Sequence, residues 1–362
     1  MAELRERAVA GDPLAARSVA VLIEGQASSG AFVASPNFPT YAYAWLRDGA
    51  FCAHALELVG ERTHAAAFHL WVARTVLSNQ QRFESAIERI TTGETPGAEE
   101  MPPTRYTLDG ELEPHVQQPW PNFQLDGYGC WLWSVARSRQ DGAEALLREA
   151  TDLVARYLSV AWNLECWDCW EEPGDGQHAS TLAAVSAGLH GAAELLDDPR
   201  YFAGATRIRR HLLRRFVRDG VLRKGVRDDR VDASLLWVAL PFKILNPKDP
   251  RMRATALRIR SDLIGGSGGV YRYVGDTYYG GGEWLLLTAW LAWYDEMIGD
   301  RAACERGRRW VISQARDNGD LPEQVVHAAQ APAMIEEWVC RWGPVAAPLL
   351  WSHAMYLIMS AA

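Results

Sequence analysis

The sequence predicts an all-α protein, a double-layered (α/α)6 barrel. Three observations predict it. Helical periodicity runs almost end to end through the 362 residues. Amphipathic segments alternate roughly with segments that are apolar all round. Every second segment is preceded by polar and aromatic residues. No strand alternation or βαβ rhythm competes with the helical pattern.

About twelve segments can be counted, near 14–25, 42–59, 62–90, 124–138, 143–160, 178–196, 199–217, 231–242, 250–264, 282–297, 300–316 and 346–360. In 143–160 a stripe of Leu146, Leu147, Ala150, Leu153, Val154, Tyr157 and Leu158 opposes Glu144, Arg148, Asp152 and Arg156, as in a helix with one wet face. Residues 284–294, from Trp284 to Tyr294, carry no charge and suit a helix covered on every side. An inner ring wrapped by an outer ring accounts for the alternation.

The polar and aromatic clusters fall ahead of the inner helices. They are Trp45-Leu46-Arg47-Asp48, Trp120 to Gly127, Trp170-Glu171-Glu172, Asp229 to Asp232, Asp276 to Trp284, and Glu323. In a barrel of paired helices, the N-terminal ends of the inner ring share one face. The clusters should therefore meet at one rim. The Gly/Pro/Glu-rich stretch 93–103, within a loop reaching residue 118, is expected to shape that rim. No linker divides the chain, so one domain over 1–362 is expected.

The bulk numbers exclude other classes. A net charge of −8 argues against nucleic acid as a partner, because phosphate binding wants a basic surface. The arginines of 207–218 read as a solvated outer face. The N-terminus lacks a signal-peptide pattern, and the six cysteines read as reduced core residues, which together point to the cytoplasm. Residues 345–362 carry no formal charge, but Pro348, Ser352 and His353 interrupt them, so a helix buried in protein is expected and no membrane span.

Cys166 and Cys169 have C-x-x-C spacing, yet no second pair and no histidine cluster accompany them, so no metal site is expected. Gly265-Gly266-Ser267-Gly268-Gly269 fits the G-x-S-x-G pattern formally, but a helix precedes it where a nucleophile elbow needs a strand. It lacks the Gly-Lys-Ser/Thr ending of a phosphate loop.

What remains is carboxylate chemistry. Trp167-Asp168-Cys169-Trp170-Glu171-Glu172 and Leu321-Pro322-Glu323-Gln324 each set a carboxylate among aromatic or apolar neighbours just ahead of a helix. Two carboxyls facing one pocket cleave a glycosidic bond when one donates a proton and the other activates water. The acid must hold its proton near neutral pH, and Trp170 and the charge of Glu172 are expected to press Glu171 that way. Sixteen tryptophans supply flat faces on which sugar rings stack. Taken singly, each glutamate also reads as a helix-dipole partner or a turn residue, and Glu165 or Glu172 is an alternative acid. Arg47-Asp48 alone reads as a helix-end ion pair.

Five motifs in order change that weighing. Tyr43 to Asp48, Gln124 to Gly127, Trp170 to Glu172, Arg272-Tyr273 with Asp276 to Tyr279, and Glu323-Gln324 with Leu350 to Ala354 resemble glycoside hydrolase family 15, the glucoamylase and glucodextranase family. The resemblance spans roughly residues 25–360. It implies an (α/α)6 barrel, exo-action on α-glucosidic bonds and inversion at the anomeric carbon. It further implies Glu171 as general acid and Glu323 as general base. By the same resemblance, Arg47 and Asp48 clamp the non-reducing glucose, Arg272 contacts hydroxyls near the cleavage point, and Trp120 and Trp170 wall the pocket. The remaining residues expected to bind substrate are Tyr43, Trp45, Gln124, Asp126, Glu172, Tyr278, Trp284 and Trp351. Trp290 and Trp293 are expected in the core.

Neither a starch-binding module nor an N-terminal β-sandwich is seen, and Gly275 stands where fungal glucoamylases carry an acidic residue. The chain is most similar to the bacterial isomaltose glucohydrolases, which act on short α-1,6-linked gluco-oligosaccharides. An α-1,4-acting glucoamylase and a trehalase of the same family are the alternatives within the class. A sugar epimerase on a similar barrel would use paired histidines, and only His178 and His353 of the nine lie near the rim motifs. A glucan-binding protein without catalysis would not need both glutamates. No cofactor is expected, and a pocket inside one barrel requires no partner, so a monomer is expected.

Overall fold

The computed structural model describes residues 11–114, 120–138, 144–172 and 176–362. Thirteen α-helices are seen among them. They are α1 Pro13–Glu24, α2 Leu46–Leu58, α3 Arg62–Ser78, α4 Gln80–Thr91, α5 Asp126–Val135, α6 Glu144–Ala161, α7 Ala179–Leu196, α8 Pro199–Arg215, α9 Pro250–Leu263, α10 Leu285–Ile298, α11 Arg301–Ser313, α12 Ile335–Trp342 and α13 Leu350–Ser360. A 3-10 helix spans Ala233–Val238.

The inner ring runs α2, α5, α7, the 3-10 helix, α10 and α13, each packed on the next, and α13 closes on α2. Helix α1 backs α13, α3 backs α2, α6 and α8 flank α7, α9 backs the 3-10 helix, and α11 backs α10. The (α/α)6 barrel is thus as expected. Two helices are so close that only glycine fits between them: a Cβ on Gly188 of α7 would lie 2.6 Å from the carbonyl oxygen of Gly129 on α5.

The two rings begin differently. Outer helices α1, α8 and α9 start at Asp-Pro, with Asp12, Asp198 and Asp249 accepting backbone N–H groups and the proline at the first turn. Asp300 caps α11 in the same way. Inner helices α2, α7, α10 and α13 start at Trp45, His178, Trp284 and Leu349 with no side-chain cap. Their first N–H groups donate instead to backbone carbonyls of adjoining segments, Leu46 to Thr104, Ala179 to Lys224, Leu285 to Glu323 and Leu350 to Ala34.

Three departures from the expected elements are seen. The segment 62–90 breaks at Asn79, whose backbone leaves the helical range at φ −104° and ψ 16° while its Nδ2 joins its own N–H on the Thr75 carbonyl. Segment 231–242 is a short 3-10 helix, because Asp232 fixes its start and Pro241 bars continuation. Helix α12 stands in a stretch read as a connection.

Five inner elements each send one aromatic ring to the barrel axis. Phe51 meets Trp133, Trp237, Trp290 and Trp351 at 5.8, 6.1, 5.0 and 5.6 Å between ring centres. These rings plug the barrel and give the cavity above them a floor. Trp290 and Trp293 are core residues, as expected. Among the described residues no helix is long and apolar enough to cross a membrane. The uncharged C-terminal stretch becomes α13, enclosed by the other helices. No cysteine pair is bonded, but Cys304 is only half-buried and Cys340 is exposed on α12, unlike the core thiols expected. No group of side chains able to hold a metal ion is found among the described residues.

Candidate active site

A cavity of about 470 Å³ opens at the rim where the inner helices begin. Its lining includes Trp45, Arg47, Asp48, Trp120, Trp170, Glu171, Glu172, Arg272, Tyr278, Trp284, Glu323 and Trp351. The expected residues Tyr43, Gln124 and Asp126 do not line it. Gln124 and Asp126 stand one layer back, where both accept from Arg47 Nη1, at 2.7 and 3.0 Å. Tyr43 stacks on Arg105. Glu165 pairs with Arg227 at the surface.

The Glu171 loop is built by Asp168. One carboxylate oxygen of Asp168 accepts from the N–H groups of Trp170 and Glu172, and its carbonyl accepts from Glu171 N. Buried Asp168 pairs with Lys224 at 3.0 Å; burial alone would raise it, and Lys224, His178 and the Glu172 N–H together hold it at about 2. Glu171 has φ +65°, a conformation costing a non-glycine residue on the order of 1 kcal/mol. The reversal sends adjacent carboxylates to different partners. Glu171 Oε1 accepts from Trp45 Nε1 at 2.5 Å and Gln124 Nε2 at 3.1 Å, with Arg47 Nη2 at 3.7 Å. Glu172 has partners of its own. It is held by Arg272 at 2.9 Å, Lys224 at 3.4 Å and the Tyr273 hydroxyl.

The Glu323 loop hangs from the first turn of α13. Ser352 Oγ donates to the Pro322 carbonyl, and Leu321 N–H donates to His353 Nε2 at 2.9 Å. A backbone N–H can only donate, so Nε2 is unprotonated and Nδ1–H donates to Ser18 Oγ. Burial pushes His353 down to about 3, and it stays neutral. Glu323 then leads into the short strand Gln324–Val325, which pairs antiparallel with Glu283–Trp284 at the start of α10.

Glu323 Oε1 accepts from Tyr41 OH at 3.1 Å, and Tyr41 OH shares a hydrogen bond with Tyr278 OH at 2.6 Å. Its Oε2 is buried and has no partner among the described residues. Burial raises Glu323 to about 8, against the pull of Arg272, Tyr41 and Tyr278. Burial likewise raises Asp48 to about 7, Arg47 pulling it down and Glu171 pushing it up. Burial opposes the charge of Arg47, but Asp126, Asp48 and Glu171 outweigh it.

Aromatic rings surround the mouth. Trp45, Trp120, Trp342, Trp338, Tyr278, Trp284 and Trp170 follow one another at 5.9, 5.8, 5.0, 5.0, 6.2 and 5.6 Å between ring centres. Glu171, bound to Trp45, follows Trp170 and completes the circuit. Such a collar offers aromatic edges and faces for a ring-shaped ligand to pack against.

Sequence reasoning missed Tyr41, Trp338, Arg341 and Trp342. Tyr41 lies two residues before Tyr43 in a motif already singled out. Ile335, Trp338, Val339 and Trp342 show the i, i+3, i+4, i+7 spacing of a helical face.

Comparison with known proteins agrees with this geometry. The sequence model described as "Glycosyl hydrolases family 15" matches residues 14–318. The isomaltose glucohydrolase of Kribbella flavida is 40% identical over 356 residues, covering 96% of this chain and 91% of that protein. A solved glycosidase variant in complex with glucose superposes with a TM-score of 0.89 at 39% identity, covering 96% of this chain and 95% of the other. At 16% identity, the glucoamylase of Saccharomycopsis fibuligera shares the fold, with a TM-score of 0.71 and coverage of 96% and 94%.

Proposed function

The chain belongs to glycosyl hydrolases family 15 and is a glycoside hydrolase, and on that premise we propose that it releases β-glucose from the non-reducing end of short α-1,6-linked gluco-oligosaccharides such as isomaltose, with inversion. The observation that carries this is the pairing of Glu171 and Glu323 in one floored, aromatic-collared cavity. Similarity to the isomaltose glucohydrolase supports the linkage. The floor of Trp351 over the axial plug supports exo-action, since only a chain end fits.

In this reading Arg47 and Asp48 hold the glucose at the floor. Glu171 protonates the departing oxygen. Trp45, Gln124 and Arg47 all converge on its Oε1, which leaves Oε2 to carry the proton. Glu323 takes a proton from the attacking water through its unpartnered Oε2, while Tyr41 fixes Oε1.

A second reading exchanges the two roles. The raised Glu323, which holds a proton more readily than an ordinary glutamate, favours it. One experiment separates them. Glucosyl fluoride needs no proton to depart, so the variant lacking the acid keeps its activity on it. Glucose release from isomaltose, maltose, trehalose and α-glucosyl fluoride is measured for wild type, Glu171→Gln and Glu323→Gln, with the product anomer followed by proton NMR. Isomaltose activity lost in both variants and fluoride activity kept only in Glu171→Gln supports the first reading. Fluoride activity kept only in Glu323→Gln establishes the exchange. Release mainly from maltose or trehalose overturns the linkage.

A further inference from the structure

The loop 93–118 was expected to shape the cavity, yet none of its described residues lines it. Its contribution is Arg105, on the far side of the aromatic wall. Strand β2, Arg105–Tyr106, pairs antiparallel with β1, Ala44–Trp45, and sets Arg105 directly opposite Trp45. Arg105 is 2% exposed. It lies 4.9 Å from the ring centre of Trp45, 3.9 Å from Trp120 and 4.4 Å from Tyr43. Glu113 holds its other edge through Nε at 3.1 Å and through Nη2, and Asn122 Nδ2 donates to the same carboxylate at 3.1 Å.

A buried cation facing three rings does more than fill space. Trp45 faces Arg105 on one side and the cavity on the other, and its Nε1–H donates to Glu171. A guanidinium over an indole face attracts the ring's electrons and fixes the ring's tilt. Both effects strengthen and aim the N–H donor at the ring edge. The cation therefore reaches the reacting carboxyl through one intervening ring.

We infer that Arg105 is a positioning residue for the acid step: through Trp45 it sets the orientation of the Glu171 carboxyl, and the strand Arg105–Tyr106 brings it there. The inference rests on Glu171 acting as the general acid. It differs from a packing role in one respect. A packing defect slows every substrate alike, whereas a misaimed acid slows only substrates that need a proton.

The test compares kcat on isomaltose and on α-glucosyl fluoride for wild type, Glu171→Gln, Arg105→Met and Arg105→Lys. General acid catalysis is worth about 100–10,000-fold, and a misaimed acid forfeits part of it. Arg105→Met is expected to lose about tenfold or more on isomaltose and less than about twofold on the fluoride. Arg105→Lys keeps the charge without the planar fork and shows a smaller loss in the same pattern. Equal losses on the two substrates, or no loss on either, overturn the inference. If Arg105→Met does not fold, Arg105→Lys carries the comparison, and equal losses there overturn it too. A Glu171→Gln enzyme that keeps isomaltose activity, or loses both, refutes the role of Glu171 instead and removes the premise, whatever Arg105 does.

Discussion

Replacing Glu323 by glutamine should destroy the reaction and stabilise the protein, and the stabilisation should depend on pH in one direction. The folded protein holds the Glu323 proton up to about pH 8, whereas the unfolded chain releases it near the ordinary 4.5. Between those values the unfolded state is the one that has lost its proton, so ionisation favours unfolding and stability falls as pH rises. Nothing is lost below pH 4.5, and the full cost applies above pH 8. At 1.36 kcal/mol per pH unit, the displacement costs about 3 kcal/mol at pH 7 and on the order of 5 kcal/mol above pH 8. Glutamine carries no charge and removes that cost. At ~2.1 cal/mol/K per residue, the unfolding entropy of a chain of this length converts 3 kcal/mol to about 4 °C in Tm.

The assay is thermal unfolding of wild type and Glu323→Gln from pH 4 to pH 8.5, with isomaltose hydrolysis measured alongside. The variant should match wild type at pH 4 and exceed it by about 4 °C at pH 7. A constant difference across the range refutes the reasoning, because it would mean that Glu323 titrates like an ordinary glutamate. The same displacement appears in the kinetics. A base acts only when ionised, so the acid limb of kcat/KM for wild type should lie above the range of an exposed glutamate.

Three further outcomes follow from particular contacts. Arg47→Met leaves Asp126 buried without its cation and should cost about 3–5 kcal/mol in denaturant unfolding as well as activity. Gly188→Ala drives a methyl against the Gly129 carbonyl, which cannot yield as a side chain would, and should lower stability by about 1–3 kcal/mol with little change in KM. Trp342→Ala opens the collar between Trp120 and Trp338; KM for isomaltose should rise about 3–10-fold while kcat changes little, because the ring touches the mouth and neither glutamate.

The barrel was legible from the alternation of amphipathic with all-round apolar segments, and the structure adds a local rule for each ring. Asp-Pro at 12–13, 198–199 and 249–250 marks outer helices that cap themselves, whereas Trp45, Trp284 and Leu349 precede inner helices that begin uncapped. Both patterns are written within a few residues. Glu171 was legible for the same reason, lying ahead of α7; Glu323 was legible from its motif alone, since α12 stands between it and the start of α13. The turn at Asn79 was not, since helix-forming residues continue on both sides and the break falls on a single residue.

The supports behind the wall were illegible for a different reason. Gln124, Asp126 and Tyr43 sit in the right motifs, and a motif shows which residues are near the site without showing which layer each occupies. Arg47 lies between the cavity and Asp126, so the carboxylate expected to touch substrate instead holds an arginine that lines the cavity. Arg105 carries the point furthest. Sixty residues separate it from Trp45 along the chain, and only the β1–β2 register brings them opposite each other. Such a contact has no spacing signature. It can be found only by asking what each wall residue leans on, and for the aromatic wall beside Glu171 the answer is one buried cation held by Glu113.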